Sequence, residues 1–258
     1  VAAFFARAGL AHVRHTRRQA RDIAAKIARS DAQQRFAFVS VSSSTASSAA
    51  IKICIRSCTM RHLAAVVLAT AHALAPTRLK LLTCDLDDTF WPTAEVVAAA
   101  NTALSTALGA READASLLGE TMKRLRRAAG VQMSYTEART SAISELLGGD
   151  HGTAEELFQL WLDARQQASE DLLFPDAATS LAEVRRRHPD AVVGAVTNGR
   201  GDPRRIPSLV PYFDFCVSGE DADVHPQRKP APRIYEAALE RARCGPDGWV
   251  HVGCDVLD

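Results

Sequence analysis

Four apolar runs stand out in the C-terminal two-thirds of the chain: RLKLLTC at 78–84, AVVGAV at 191–196, FDFCVS at 213–218 and WVHV at 249–252. Each is apolar over most of its length instead of alternating, as strands covered on both faces of a parallel sheet are. Helical patterns lie between them. Asp176, after Pro175, predicts the N-cap of a helix running through Arg185, Arg186 and Arg187. Pro230 predicts the opening of a helix over PAPRIYEAALERARC that Gly245 closes. Strand and helix alternate, which predicts an α/β fold with a doubly wound parallel sheet.

The first two runs are separated by far more chain than one crossover helix needs. Residues 93–172 are helical in pattern throughout, a length that predicts a compact bundle of about four helices. Capping boxes are predicted at Ser134 to Glu137 and at Thr153 to Glu156. Leu157, Leu160, Trp161, Ala164 and Ala168 fall on one helical face and are expected to line the bundle core. The chain therefore divides into a core of residues 76–92 and 173–258, an inserted helical cap at 93–172, and a preceding segment, 1–75.

Charge sets that segment apart. The net charge of +1 conceals an asymmetry: residues 1–80 hold 13 of the 31 Lys and Arg but only two of the 30 acids, Asp22 and Asp31. Rich in Ala, Arg and Ser, lacking Glu and including VSVSSSTASSAA, the segment is expected to be disordered or targeting. Its composition resembles an organellar transit peptide, for a chloroplast or a mitochondrion; the cytoplasm is the alternative. Its arginines are scattered and its aromatics few, so no nucleic-acid partner is expected. LAAVVLATAHALA, at about 13 residues, is too short to span a bilayer, and no membrane span is expected. Six cysteines form no CxxC pair, which predicts reduced thiols. No pattern sets an oligomeric state.

TCDLDDTFWP, at 83–92, places Asp85, Asp87 and Asp88 directly after the first predicted strand. Like charges beside a buried strand are costly unless a cation or a reaction needs them. Ligands of open α/β sheets bind beyond the carboxyl ends of the strands. Asp85 and Asp87 follow the first strand, Thr197 and Asn198 the second and Asp255 the fourth, while Lys229 precedes a helix N-terminus. Carboxylates, a hydroxyl, amides and one lysine suit an anionic substrate bridged by Mg²⁺. Phosphoryl transfer follows, one Asp attacking phosphorus while metal and Lys neutralise the equatorial oxygens. Gly199 and Gly201 form a lone GxG, and there is no Walker-type loop, which argues against dinucleotide and P-loop sites.

DLDDT after a strand, VTNG after a second, RKP opening a helix and HVGCD after a last strand resemble the four ordered motifs of the haloacid dehalogenase (HAD) superfamily. The resemblance covers about residues 78–258, and the helical insertion is similar to that of the C1-capped subfamily I. It implies a Rossmannoid core and a phosphatase acting on a small phosphorylated metabolite. Asp85 would be the nucleophile that forms an aspartyl-phosphate, and Asp87 would protonate the leaving alkoxide and later activate water. Thr89 would brace the loop, Thr197 and the amide of Asn198 would hold the phosphoryl group, and Lys229 would screen the charges. Mg²⁺ would be held by Asp85, the backbone carbonyl of Asp87 and Asp255. Halide leaves without a proton, and true dehalogenases generally lack the second Asp, so Asp87 favours a phosphatase. Asp88 is expected to be structural and His225 to lie at the surface. GRGDPRRIPSLVPYFDF resembles phosphatases of the phosphorylated ribityl intermediate of flavin synthesis.

Two departures from the family pattern matter. Family members commonly carry Asp directly after the Gly of the last motif, where this chain has Cys254. A thiol is a poor Mg²⁺ ligand, so Asp255, or else Asp258, is expected to serve by a shift in register. A catalytically impaired pseudoenzyme that binds a phosphorylated ligand or protein is the alternative. The family pattern also continues with a helix and a strand past the position of Asp258, so a C-terminally truncated core with an exposed parallel edge is expected. A phosphoacceptor receiver domain is disfavoured, because VTNG occupies the next strand end and a helical bundle intervenes.

Overall fold

The computed structural model describes residues 79–253 and, before them, the backbone of two strands, β1 (Ala37–Thr45) and β2 (Ser48–Ile55). The four apolar runs form β3 (Leu81–Cys84), β4 (Val192–Thr197), β5 (Phe215–Ser218) and β6 (Trp249–Gly253). They lie side by side in the order β6-β3-β4-β5, all parallel.

The uninterrupted apolar runs have a simple cause. Leu82 and Cys84 point to the face that also holds Val193, Ala195, Val250 and Val252, and Leu81 points to the face of Val196, Phe215 and Val217. Helices cover both. Ala177, Leu181 and Val184 of α5 (Ala177–Arg187) close the first face, and Ile234, Ala237 and Ala238 of α6 (Pro232–Ala242) close the second. On that second face, buried Thr83 accepts a 2.8 Å bond from the Trp249 indole and shares another of 2.8 Å with His251. A polar pair therefore sits inside an apolar layer with partners.

Phe215 lies opposite Gly194 in the ladder, and its ring fills the place of the missing side chain: a Cβ on Gly194 would fall 2.1 Å from the Phe215 ring. Gly194→Ala is expected to destabilise the protein by about 1–3 kcal/mol through overpacking, read as a lowered urea midpoint at unchanged slope.

Between β3 and β4 the predicted bundle is present as α1 (Thr93–Gly109), α2 (Leu118–Ala129), α3 (Tyr135–Leu146) and α4 (His151–Asp171). Leu104, Leu108, Ile143, Leu157, Phe158 and Trp161 form its core. The Trp161 indole donates to Asn101 at 2.9 Å, and the Arg139 guanidinium lies 4.0 Å over its ring. Ser134 and Glu137 make the expected capping box of α3.

Several expectations need correction. The start of α4 is capped by Asp150, whose two carboxylate oxygens accept from the amide and hydroxyl of Thr153. Thr153 to Glu156 is therefore inside the helix, because Asp caps as well as Thr and comes first. Leu160 is 38% exposed, and the buried face of α4 turns instead through Phe158 and Arg165. Asp176 stands at the N-cap of α5 without a side-chain capping bond. α6 opens on Pro232, which lacks an amide hydrogen where none is needed, and ends at Arg243 in the left-handed region (φ 52°), short of Gly245.

The expected bare edge of β6 is also paired. β2 runs parallel to it, and β1 runs antiparallel to β2 at the sheet margin. Both strands lie within residues 1–75, expected to be disordered or targeting. The run FVSVS alternates with period two, and IKICI is rich in β-branched residues, both of which suit a strand. Among the described residues no helix is long and apolar enough to cross a membrane.

Candidate active site

The site is built where β3 ends. The amide of Asp85 donates to the Val252 carbonyl at 2.8 Å, so the β3–β6 ladder runs one residue past the strand and fixes the Asp85 backbone. The carboxylate meets the Lys229 ammonium at 2.8 Å, with side chains only 7% and 2% exposed. A buried pair of this kind is weak support for stability, since desolvation offsets most of the attraction. It makes better sense as a preset charge.

The chain then turns sharply. Thr89 and Phe90 donate their amides to the Leu86 carbonyl, and Asp88 takes φ 56°. The Asp88 carboxylate accepts from the Thr93 amide at 2.9 Å, which secures the first turn of α1. Asp88 is structural, as expected, and the Thr89 side chain is buried in the same turn.

Asp87 is gripped by one oxygen. Its Oδ1 accepts from the Trp91 indole at 3.0 Å and from Arg165 Nη2 at 2.7 Å. Its Oδ2 faces the turn after β4, 3.1 Å from where a Cβ on Gly199 would lie; Thr197 Oγ1 is 3.8 Å from the same point. Gly199 lets that turn and the acid approach each other.

Thr197 is buried at the carboxyl end of β4, and its hydroxyl oxygen accepts from the Gly199 amide at 3.1 Å. The Asn198 side chain clasps the Lys229 backbone from both sides, accepting from its amide at 2.8 Å and donating to its carbonyl at 3.1 Å. This clasp places Lys229 before α6 with its ammonium on Asp85. The structure thus gathers Asp85, Asp87, Thr197, Asn198 and Lys229 at one end of the sheet. Asp255, with Cys254 and Asp258, lies outside the described residues.

Asp85 and the carbonyl of Asp87 are hard oxygens of the kind Mg²⁺ takes, so the described part of the expected donor set fits a magnesium ion. Among the described residues no three His, Cys, Asp or Glu side chains converge as a metal cluster. Burial, with the neighbouring Asp85 carboxylate, pushes the Cys84 thiol up, which argues against a competing thiolate nucleophile.

Pattern reasoning missed Arg165, Trp91 and Glu220. Arg165 carried a signal, since it stands four residues after Trp161 on the apolar face of α4. Glu220 had none. Buried after β5, it accepts from the Tyr135 and Thr136 amides at 3.1 and 2.9 Å, at the N-terminus of cap helix α3. Arg200 donates to the Thr136 hydroxyl and His225, half-buried, bonds the Gln132 carbonyl, so the cap is tied to the core along this rim.

Burial alone would raise the Glu220 carboxyl, but the Thr136 amide and hydroxyl, the Tyr135 amide and Arg200 outweigh it and hold it below its ordinary value. A depressed carboxylate contributes stability above its unfolded value and loses it as pH falls through the folded one. Glu220→Gln is therefore expected to lose about 1 kcal/mol at neutral pH, modest because solvent screens part of the interaction. The gap between parent and variant in urea unfolding closes on acidification through the carboxylate range.

The family model of haloacid dehalogenase-like hydrolases matches residues 79–253. Among solved structures, the 2-haloacid dehalogenase of Pseudomonas syringae pv. Tomato DC3000 is 28% identical, covering 68% of this chain and 77% of its own, with a TM-score of 0.55. The Bacillus subtilis HAD-hydrolase YfnB, bound to magnesium, is 20% identical over 70% of this chain and 82% of its own, with a TM-score of 0.48. L-2-haloacid dehalogenase from Xanthobacter autotrophicus is 21% identical over 67% and 69%, with a TM-score of 0.39. No curated protein is similar enough to count as a relative.

Proposed function

We propose, given that the chain belongs to the haloacid dehalogenase-like hydrolases, that it is a Mg²⁺-dependent phosphomonoester hydrolase acting on a small phosphorylated metabolite. One observation carries this: two residues past Asp85, a second acid is clamped by Oδ1 with Oδ2 toward the Thr197–Gly199 turn. An alkoxide needs a proton donor there and a departing halide does not.

In the proposed reaction the phosphoryl oxygens rest against the Thr197 hydroxyl, the Asn198 amide and the Lys229 ammonium. An Asp85 oxygen bonds phosphorus as the bond from phosphorus to the ester oxygen breaks. Asp87 gives its proton to that oxygen, and the alcohol leaves. Asp87, now a carboxylate, takes a proton from water as the water oxygen bonds phosphorus and the bond to Asp85 breaks. Inorganic phosphate departs and both aspartates are restored. Mg²⁺, when held by Asp85, the Asp87 carbonyl and Asp255, supplies charge neutralisation at the transferring oxygens.

A dehalogenase is the second reading, favoured by the 28% identical structure of that description. Phosphate release from 4-nitrophenyl phosphate, with Mg²⁺ and with excess EDTA, set beside chloride release from 2-chloropropionate, separates the two. The expected result is Mg²⁺-dependent phosphate release and no chloride. Chloride without phosphate assigns the dehalogenase. Neither product from folded protein assigns the pseudoenzyme, and a gain of turnover in Cys254→Asp would then trace the loss to the metal site.

A further inference from the structure

We infer that Arg165, carried by cap helix α4, is a positioning residue that aims the proton of Asp87 at the leaving group; the inference rests on Asp87 being the acid of the proposed reaction. Arg165 is a charged side chain only 4% exposed, while its partner Asp87 is 27% exposed. Among the described residues, its Nη1 is buried with no hydrogen-bond partner. An arginine buried so far with one nitrogen unpartnered is a costly arrangement that stability alone does not explain.

The geometry supplies a use. Both the Trp91 indole and Arg165 Nη2 donate to Oδ1 of Asp87. Two N–H donors on Oδ1 hold the carboxyl group in one orientation, with Oδ2 as the oxygen turned toward the site. Oδ2 is the oxygen that faces Gly199 and Thr197, where the phosphoryl group of the substrate is placed. When the bond between phosphorus and the ester oxygen breaks, the proton of the proposed acid passes from Oδ2 to the departing oxygen. With Arg165 gone, Oδ1 loses its charged donor and the carboxyl is held less firmly in that orientation. Gly201 leaves room for the arginine: a Cβ there would lie 2.9 Å from Nη1.

The test compares kcat/KM for 4-nitrophenyl phosphate, whose phenolate leaves with little help, and 4-nitrobenzyl phosphate, whose alkoxide needs the proton. Wild type, Asp87→Asn, Arg165→Met, Arg165→Lys and Gly201→Ala are measured with Mg²⁺. Asp87→Asn is expected to lose about 10²–10⁴-fold on the benzyl ester and far less on the phenyl ester. Arg165→Met is expected to lose about 10- to 100-fold on the benzyl ester and under about threefold on the phenyl ester, with KM for the latter unchanged. Arg165→Lys, which keeps one N–H donor for Oδ1, recovers most of the loss. Gly201→Ala, whose Cβ presses most closely on Arg165 and less closely on Leu86 and Trp91, repeats the selectivity in milder form and stands in if Arg165→Met does not fold. Equal losses on both esters in the Arg165 and Gly201 variants, with Asp87→Asn selective, overturn the inference and leave the proposed function standing. Equal losses in Asp87→Asn remove Asp87 as the acid, and the inference with it.

Discussion

Asp85→Asn folds like the parent and releases no measurable phosphate, a loss of at least about 10⁴-fold. The substitution keeps the shape of the side chain and an oxygen that can still accept from the Lys229 ammonium, now 2.8 Å from the carboxylate. It removes the nucleophilic oxygen and the charge that a cation would bind. Among the described residues nothing else at the strand end replaces it. Asp87 is held by Trp91 and Arg165, and Asp88 is committed to the Thr93 amide. The Cys84 thiol is pushed upward by burial. Phosphate release from 4-nitrophenyl phosphate, with circular dichroism to confirm the fold, checks this.

Lys229→Met affects stability as well as rate. Removing the ammonium leaves a carboxylate 7% exposed without its cation, and such a break in a buried pair costs about 3–5 kcal/mol. Turnover falls about 10²–10³-fold, because the charge that meets the transferring oxygens is gone. The two losses respond differently to metal. A Mg²⁺ ion held by the native carboxylate, as proposed, would not bind the unfolded chain, so millimolar Mg²⁺ is expected to restore much of the stability in urea while the rate stays low. Equal stabilisation of parent and variant by Mg²⁺ would argue against a metal next to Asp85.

How far the sequence reveals the molecule depends on how local each cause is. The strands are legible because Leu81 and Leu82 are buried on opposite faces, so the run stays apolar over most of its length instead of alternating. The strand-end residues are legible because a parallel sheet delivers its carboxyl ends to one crevice. The capping box of Ser134 and Glu137 is a contact three residues long. What escapes is made by distant partners or by competition. Arg165 reaches Asp87 across 78 positions and Glu220 reaches Thr136 across 84, and neither residue carries its partner's address. Asp150 and Thr153 are both good caps, and Asp150, which comes first, serves. The edge of β6 looked bare because the Ala- and Ser-rich segment that supplies β2 reads by composition as something other than a strand.

The most direct test is to quench the wild-type protein in acid during turnover of 4-nitrophenyl phosphate with Mg²⁺, then weigh it and map the modified peptide. A protein heavier by one phosphoryl group, with the group on Asp85 and no adduct in Asp85→Asn, is the result the account predicts. Phosphate release that continues undiminished in Asp85→Asn, or an adduct on any other residue, would contradict it.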